Sequence, residues 1–104
     1  MDVDVVIDTF KHYIRHDMYT QIQDYYEEIT SHKAEYRINY EYVFQKVFLF
    51  ACIKRKEEVL RFMFDIYKTM SLIDRIGLRP TIIYGKYLYK DGYPITLPKD
   101  PKDY

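Results

Sequence analysis

His12 and His16 stand four residues apart in a stretch with helical spacing, so both imidazoles can face one metal ion, with Asp17 beside them. The stretch reads His12-Tyr13-Ile14-Arg15-His16. It lacks the glutamate that a zinc-protease helix places between its histidines, and Arg15 puts a positive charge there instead. Only His32 is left as a further imidazole, and no metal or cofactor is assigned. The single cysteine, Cys52, falls in the most apolar part of the chain, where a thiol is an inert small hydrophobe and not a nucleophile. Three glycines form no phosphate loop, and no paired-carboxylate site can be placed. No catalytic residue is assigned, and the expected work is binding.

Two groups of residues are candidates for that work. Lys54-Arg55-Lys56, followed by Arg61, make a basic cluster at a turn, with Tyr42, Tyr87 and Tyr89 available for base stacking. This is the alternative reading, a small helical nucleic-acid-binding regulator. Glu57 and Glu58 partly neutralise the cluster, and net charge is zero, so bulk attraction to phosphate is weak. The favoured contact residues are Arg75 and Arg79, which flank Ile76 and Leu78 in a connecting segment. Exposed arginine beside apolar groups is the composition of an interface anchor; the other reading is that Ile76 and Leu78 seal the core under the segment. Ile83 and Tyr87 extend this set along the following helix.

The elements that position these residues follow from apolar spacing. Val6, Phe10, Tyr13 and Ile14 predict a helix over 4–15, capped by Asp2 or Asp4. His16-Asp17 forms a turn. Ile22, Tyr25, Tyr26 and Ile29 predict a helix over 18–31, and the polar stretch 31–37 reads as a loop. Residues 39–54 predict a central helix that is apolar on most sides, and 56–70 a helix opening on Glu57 and Glu58. Residues 71–79 read as a connection ending at Gly77, with Pro80 opening a fifth helix that runs to about 90 and stops at Asp91-Gly92. Pro94, Pro98 and Pro101 keep residues 93–104 as an extended tail. The class is all-α, with one helical domain over 1–92.

The run Ala51 to Phe64 resembles the core of an ankyrin repeat. Ala51-Cys52 fill its pair of small residues, and Glu58-Val59-Leu60-Arg61 its acidic-apolar-apolar-basic second-helix start. Asp74, Gly77 and Pro80 fall where the next repeat opens, with Arg79 in place of threonine. The equivalent opening position before Ala51 is Lys46, 33 residues earlier than Arg79, which is the ankyrin period. The N-terminal pair, opening near Asp8, is 38 residues before Lys46. Arg55 stands where a turn glycine is usual, which predicts a mildly strained positive-φ turn. Tyr84 stands in a small-residue slot, which predicts helices held apart. The resemblance implies about two and a half stacked helix pairs, a non-enzymatic protein-interaction module, and a host or viral protein as partner. It is similar to the divergent, tyrosine-rich ankyrin-like proteins of large DNA viruses of amoebae and their satellites.

Composition sets further bounds. Of the 104 residues, 48% are hydrophobic and 31% charged, as in a folded domain. Residues 1–40 carry 4 basic against 8 acidic groups and residues 41–104 carry 12 against 8, a polarity that can orient association of like chains. Thirteen tyrosines and no tryptophan can cover a core while their hydroxyls reach a partner. A lone cysteine forms no internal disulfide, which favours an intracellular compartment, cytoplasmic or nuclear. The longest apolar run, Val47 to Ile53, is too short to span a bilayer, and no membrane partner is expected. The last helix has no following layer, so Ile82, Ile83, Tyr87 and Leu88 are expected to be exposed and to pair with a hetero-partner or a homodimer mate.

Overall fold

A computed structural model describes all 104 residues, Met1–Tyr104. Six α-helices follow one another: α1 Val3–Arg15, α2 Tyr19–Ser31, α3 Lys33–Tyr36, α4 Tyr40–Ile53, α5 Glu57–Thr69 and α6 Leu72–Tyr89. A single 3-10 turn, Pro101–Asp103, closes the chain. The fold is all-α. The sixth helix arises because the expected polar loop after Ser31 folds into the single turn α3, ended by Arg37 at φ 51°.

Four of the five main helices start where a side chain satisfies an orphan amide or where acids favour the dipole; α2, which follows Met18, has neither. Asp2 caps α1 by accepting from the Asp4 amide at 2.9 Å, and Asn39 caps α4 by accepting from the Tyr42 amide at 3.1 Å. α5 has no side-chain cap and instead carries Glu57 and Glu58 in its first turn.

α1, α4 and α6 lie side by side with α4 in the middle, and α2 and α5 pack behind α1 and α4. A helix flanked on two sides must be apolar on two sides. α4 meets that requirement by burying Val43, Phe44, Val47, Phe48, Ala51 and Cys52. Aromatic edges join the rear helices. Phe62 of α5 meets Tyr19 and Tyr26 of α2 edge-on, with ring centroids 6.2 Å and 5.9 Å apart. The buried Tyr67 and the half-buried Tyr93 pack their rings on the core and spend their hydroxyls on backbone. Tyr67 donates to the Arg75 carbonyl at 3.1 Å and Tyr93 to the Ile82 carbonyl at 2.7 Å.

The ends of the three stacked helices form a row along one edge. Asp17, Arg55 and Lys90, at φ 53°, 54° and 70°, end α1, α4 and α6. The first two turns share one hydrogen-bond pattern, in which the amide three residues past the helix returns five positions: Met18 to Tyr13 at 2.9 Å and Lys56 to Ala51 at 3.0 Å. Side chains tie the row together. Lys56 reaches the Asp17 carboxylate at 2.7 Å, and Arg55 donates to the carbonyls of Tyr89 and Asp91. The positive φ expected at Arg55 is present, and the arginine there fastens α4 to α6.

Two expectations about the C-terminal third are corrected. Residues 72–79 are not a connection, and Pro80 does not open a helix; it lies inside α6. The start is Ser71, whose Oγ accepts from the Asp74 amide at 3.2 Å, the Ser-x-x-acid pattern of a capping box. Starting there adds Leu78 to the buried stripe Ile82, Gly85 and Tyr89. Pro80 is tolerated because it faces solvent. It supplies no N–H, so the Ile76 carbonyl lacks its usual donor four residues on. The second correction concerns spacing between layers. Tyr84 points outward and separates nothing. Gly85 takes the inward position, where a Cβ would sit 2.8 Å from Cys52 Sγ and 2.9 Å from the Phe48 ring. A glycine is required at that approach, and α4 and α6 pack closely because of it.

The tail folds back over the α5–α6 edge. Ile95 is buried, Tyr104 meets Phe64 at a centroid distance of 5.8 Å, and the 3-10 turn rests on α6.

Candidate partner-binding face

α6 is apolar on two opposite faces. Leu78, Ile82, Gly85 and Tyr89 face α4 and are buried. At about 100° per residue, Ile73, Ile76, Gly77, Pro80, Ile83, Tyr84 and Tyr87 share the opposite arc of about 120°. None carries a charge. Ile73 is 82% exposed, Ile76 52%, Ile83 47%, Tyr84 55% and Tyr87 73%. Nothing in the chain covers this strip, which runs for about 21 Å along the helix.

Of the residues expected to contact a partner, Ile76, Ile83 and Tyr87 converge on this strip. Leu78 does not; it is fully buried, because the helix begins at Leu72 and turns Leu78 inward. Ile82, expected on the open face, is likewise fully buried, and Leu88 is half-buried against the core. Arg75 and Arg79 are not loop anchors. Both are half-buried on α6 and hold the tail. Arg75 donates to the Met70 carbonyl at 3.2 Å and the Pro101 carbonyl at 3.3 Å, and Arg79 donates to the Pro98 carbonyl. Arg79 Nη1 is buried without a hydrogen-bond partner. Ile73, Pro80 and Tyr84 complete the strip and were not anticipated. Their signal is the 3-4-3-4 spacing 73, 76, 80, 83, 87, which is readable only once Ser71 is taken as the helix start.

One side of the strip is basic. Arg79, Lys86 and Lys99 enter the cleft between α6 and the tail, which is otherwise lined by Ile82, Ile83, Tyr93 and residues 95–98 and holds no carboxylate. Lys90 follows one turn beyond Lys86. None of these four cations is in an ion pair; the four pairs present are His32–Glu35, Lys56–Asp17, Arg61–Glu57 and Lys68–Asp65.

The basic turn is largely engaged. Arg55 holds the end of α6, Lys56 holds Asp17, and Arg61 pairs with Glu57 at 2.7 Å. Lys54 stands over the Phe50 ring with Lys11 and Arg15, at 5.6 Å, 5.3 Å and 5.6 Å from its centroid. Of the proposed stacking partners, Tyr42 and Tyr87 are exposed and Tyr89 is buried beneath Arg55.

The chemical groups singled out in the sequence are dispersed. His12 and His16 lie side by side on the surface of α1, their rings tilted by 55° with centroids 4.7 Å apart, while His32 pairs with Glu35 at 3.4 Å. No three His, Cys, Asp or Glu side chains are arranged to hold a metal ion. Cys52 is fully buried; burial pushes its thiol up to about 12, against a lowering hydrogen bond from Tyr93. That thiol stays protonated and unreactive at neutral pH. A cavity of about 40 Å³ between α2, α4 and α5 is lined by eleven apolar residues, among them Ile22, Tyr26, Phe44, Phe62 and Met63, with no acid or base to activate a substrate. No helix is long and apolar enough to cross a membrane. Compared with protein-family models, with curated proteins and with solved structures, the chain matches none of them.

Proposed function

We propose that the protein is a non-enzymatic interaction module of stacked, ankyrin-like helix pairs that binds another protein through the outer face of α6. One observation carries this reading: seven positions along four turns are outward-facing and uncharged, on a helix whose opposite face is already packed. Exposed apolar surface of this continuity marks interaction sites, and tyrosines such as Tyr84 and Tyr87 are frequent binding hot spots. The stack supports the reading too, since a further layer would sit on this face and none is present.

The test is a pair of outer-face variants, Ile83→Glu and Tyr87→Glu, compared with the wild-type chain as bait in the native cell. Proteins retained by wild type and lost with both variants, at unchanged melting temperature, are the expected outcome. A captured partner that binds both variants as well as wild type, measured by calorimetry with purified components, removes the reading.

The nucleic-acid alternative rests on Lys54 joined by Lys11 and Arg15 around Phe50. Gel-shift titration at two salt concentrations decides it, because phosphate contacts produce a steep loss of affinity with salt.

A further inference from the structure

The geometry points to the occupant of the α6 face: an amphipathic helix of another protein whose apolar stripe is bordered by a row of Asp or Glu. The inference rests on the reading above and names the partner chemistry. Helix-in-groove recognition needs an apolar strip read at three- and four-residue spacing, and Ile73, Ile76, Pro80, Ile83 and Tyr87 supply that spacing. It also needs a flank that selects the partner. The exposed flank beside the cleft is Lys86, Lys90 and Lys99, above the half-buried Arg79 that holds the tail, with no carboxylate in the cleft and no ion pair to any of the three lysines. The other flank is Thr81 and Leu88, with Asp74 at its start.

A second copy of the chain fits this face poorly. Two antiparallel α6 helices related by a twofold axis bring the same flank of each together, because an isologous contact pairs a patch with itself. The three lysines would then meet the same three lysines. A parallel pair sets the basic flank against Thr81 and Leu88, where the acids Asp74 and Glu41 lie only at the start of the helix. Area argues the same way. A strip roughly 21 Å by 10 Å falls well short of the roughly 800 Å² per partner of a stable interface. It suits a single docked helix, which gains specificity from the rim.

Three peptides of about 18 residues, long enough to cover the strip, test this. They share one Leu/Ile stripe at i, i+3, i+4 and i+7 and carry a Glu, Gln or Lys row beside it. Binding to the full-length chain is followed by fluorescence anisotropy at about 50 mM and 500 mM salt, where screening differs several-fold. Two or three exposed pairs amount to roughly tenfold in affinity. The Glu peptide is therefore expected to bind at least about tenfold tighter than the Lys peptide at low salt. The preference should shrink at high salt and reverse for the double variant Lys86→Glu, Lys90→Glu, whose fold is checked by circular dichroism. Equal binding of all three peptides overturns the acidic-helix inference and leaves the face as a binding site. So does self-association that Ile83→Glu abolishes, which makes a second copy the occupant. If no peptide binds while the native partner is still lost in Ile83→Glu, only the inference falls.

Discussion

Ile82 and Ile83 are adjacent, chemically identical and opposite in fate. Ile82 is sealed against α4; Ile83 lies on a strip that nothing in the chain covers. The whole of α6 repeats this contrast, with Leu78, Ile82, Gly85 and Tyr89 on one side and Ile76, Pro80, Ile83 and Tyr87 on the other. Intrinsic hydrophobicity does not separate the two faces. A neighbouring helix does. The inner face contributes to stability, and the outer face is left as binding surface.

Ile82→Ala is the strongest way to break that contrast. A buried isoleucine cut to alanine loses its transfer free energy and leaves a cavity, about 2–5 kcal/mol. At roughly 4–8 °C per kcal/mol for a domain of this size, melting should fall by about ten degrees or more. Ile83→Ala should stay within about 0.5 kcal/mol of wild type in urea denaturation. Similar losses at the two positions would mean that the faces are not distinct.

Gly85→Ala sharpens the comparison at the tightest inner contact. The added methyl meets Cys52 Sγ and the Phe48 ring at 2.8 Å and 2.9 Å, and both belong to a packed helix. Overpacking costs about 1–3 kcal/mol, offset by up to about 1 kcal/mol of helix propensity. A modest net loss of melting temperature is expected, whereas Gly77→Ala on the outer face, with open space around it, should be neutral or stabilising.

The smallest effect is electrostatic. Glu41 on α4 faces Asp74 of α6, and a shared hydrogen bond raises its carboxyl above the usual range. A group whose folded value lies above its unfolded value favours the folded state fully below the unfolded value. That contribution fades as pH rises through the folded value. This single contribution should therefore fade from about pH 4 toward neutrality, so the small stability difference between wild type and Glu41→Gln should change over that range in pH-resolved denaturation.

Most of the scaffold was legible in the sequence. Val6, Phe10 and Ile14 repeat with the helical period, and α4 is apolar all round because it is packed all round. Arg55 was readable as a strained turn, although its grip on the end of α6 was not. The C-terminal third was misread for a physical reason. Gly77 and Pro80 are strong local stop-and-start signals, and they outweighed Ser71-x-x-Asp74. In the fold the earlier start prevails, because it buries Leu78 one turn before Ile82 and leaves Pro80 on the solvent side. Arg75 and Arg79 could not be assigned from sequence. Their partners are carbonyls of the tail at Pro98 and Pro101, and no side-chain type announces a carbonyl 20 or so residues away. The expected contact set was correspondingly divided, with Ile76, Ile83 and Tyr87 on the open strip and Leu78 inside.

Pro80 leaves a mark on whatever comes to lie over that strip. Its ring nitrogen donates nothing, and no side chain donates to the Ile76 carbonyl in its place, so that oxygen lacks its helical donor four residues on and can accept from outside the helix. A ligand that buries that oxygen without donating to it forfeits about 1–3 kcal/mol. One that brings a hydroxyl, amide or ammonium group to that point avoids the forfeit. An otherwise featureless greasy ridge thereby acquires a single polar notch near its midpoint, by which a docked chain can be held in one alignment and kept from sliding by a turn.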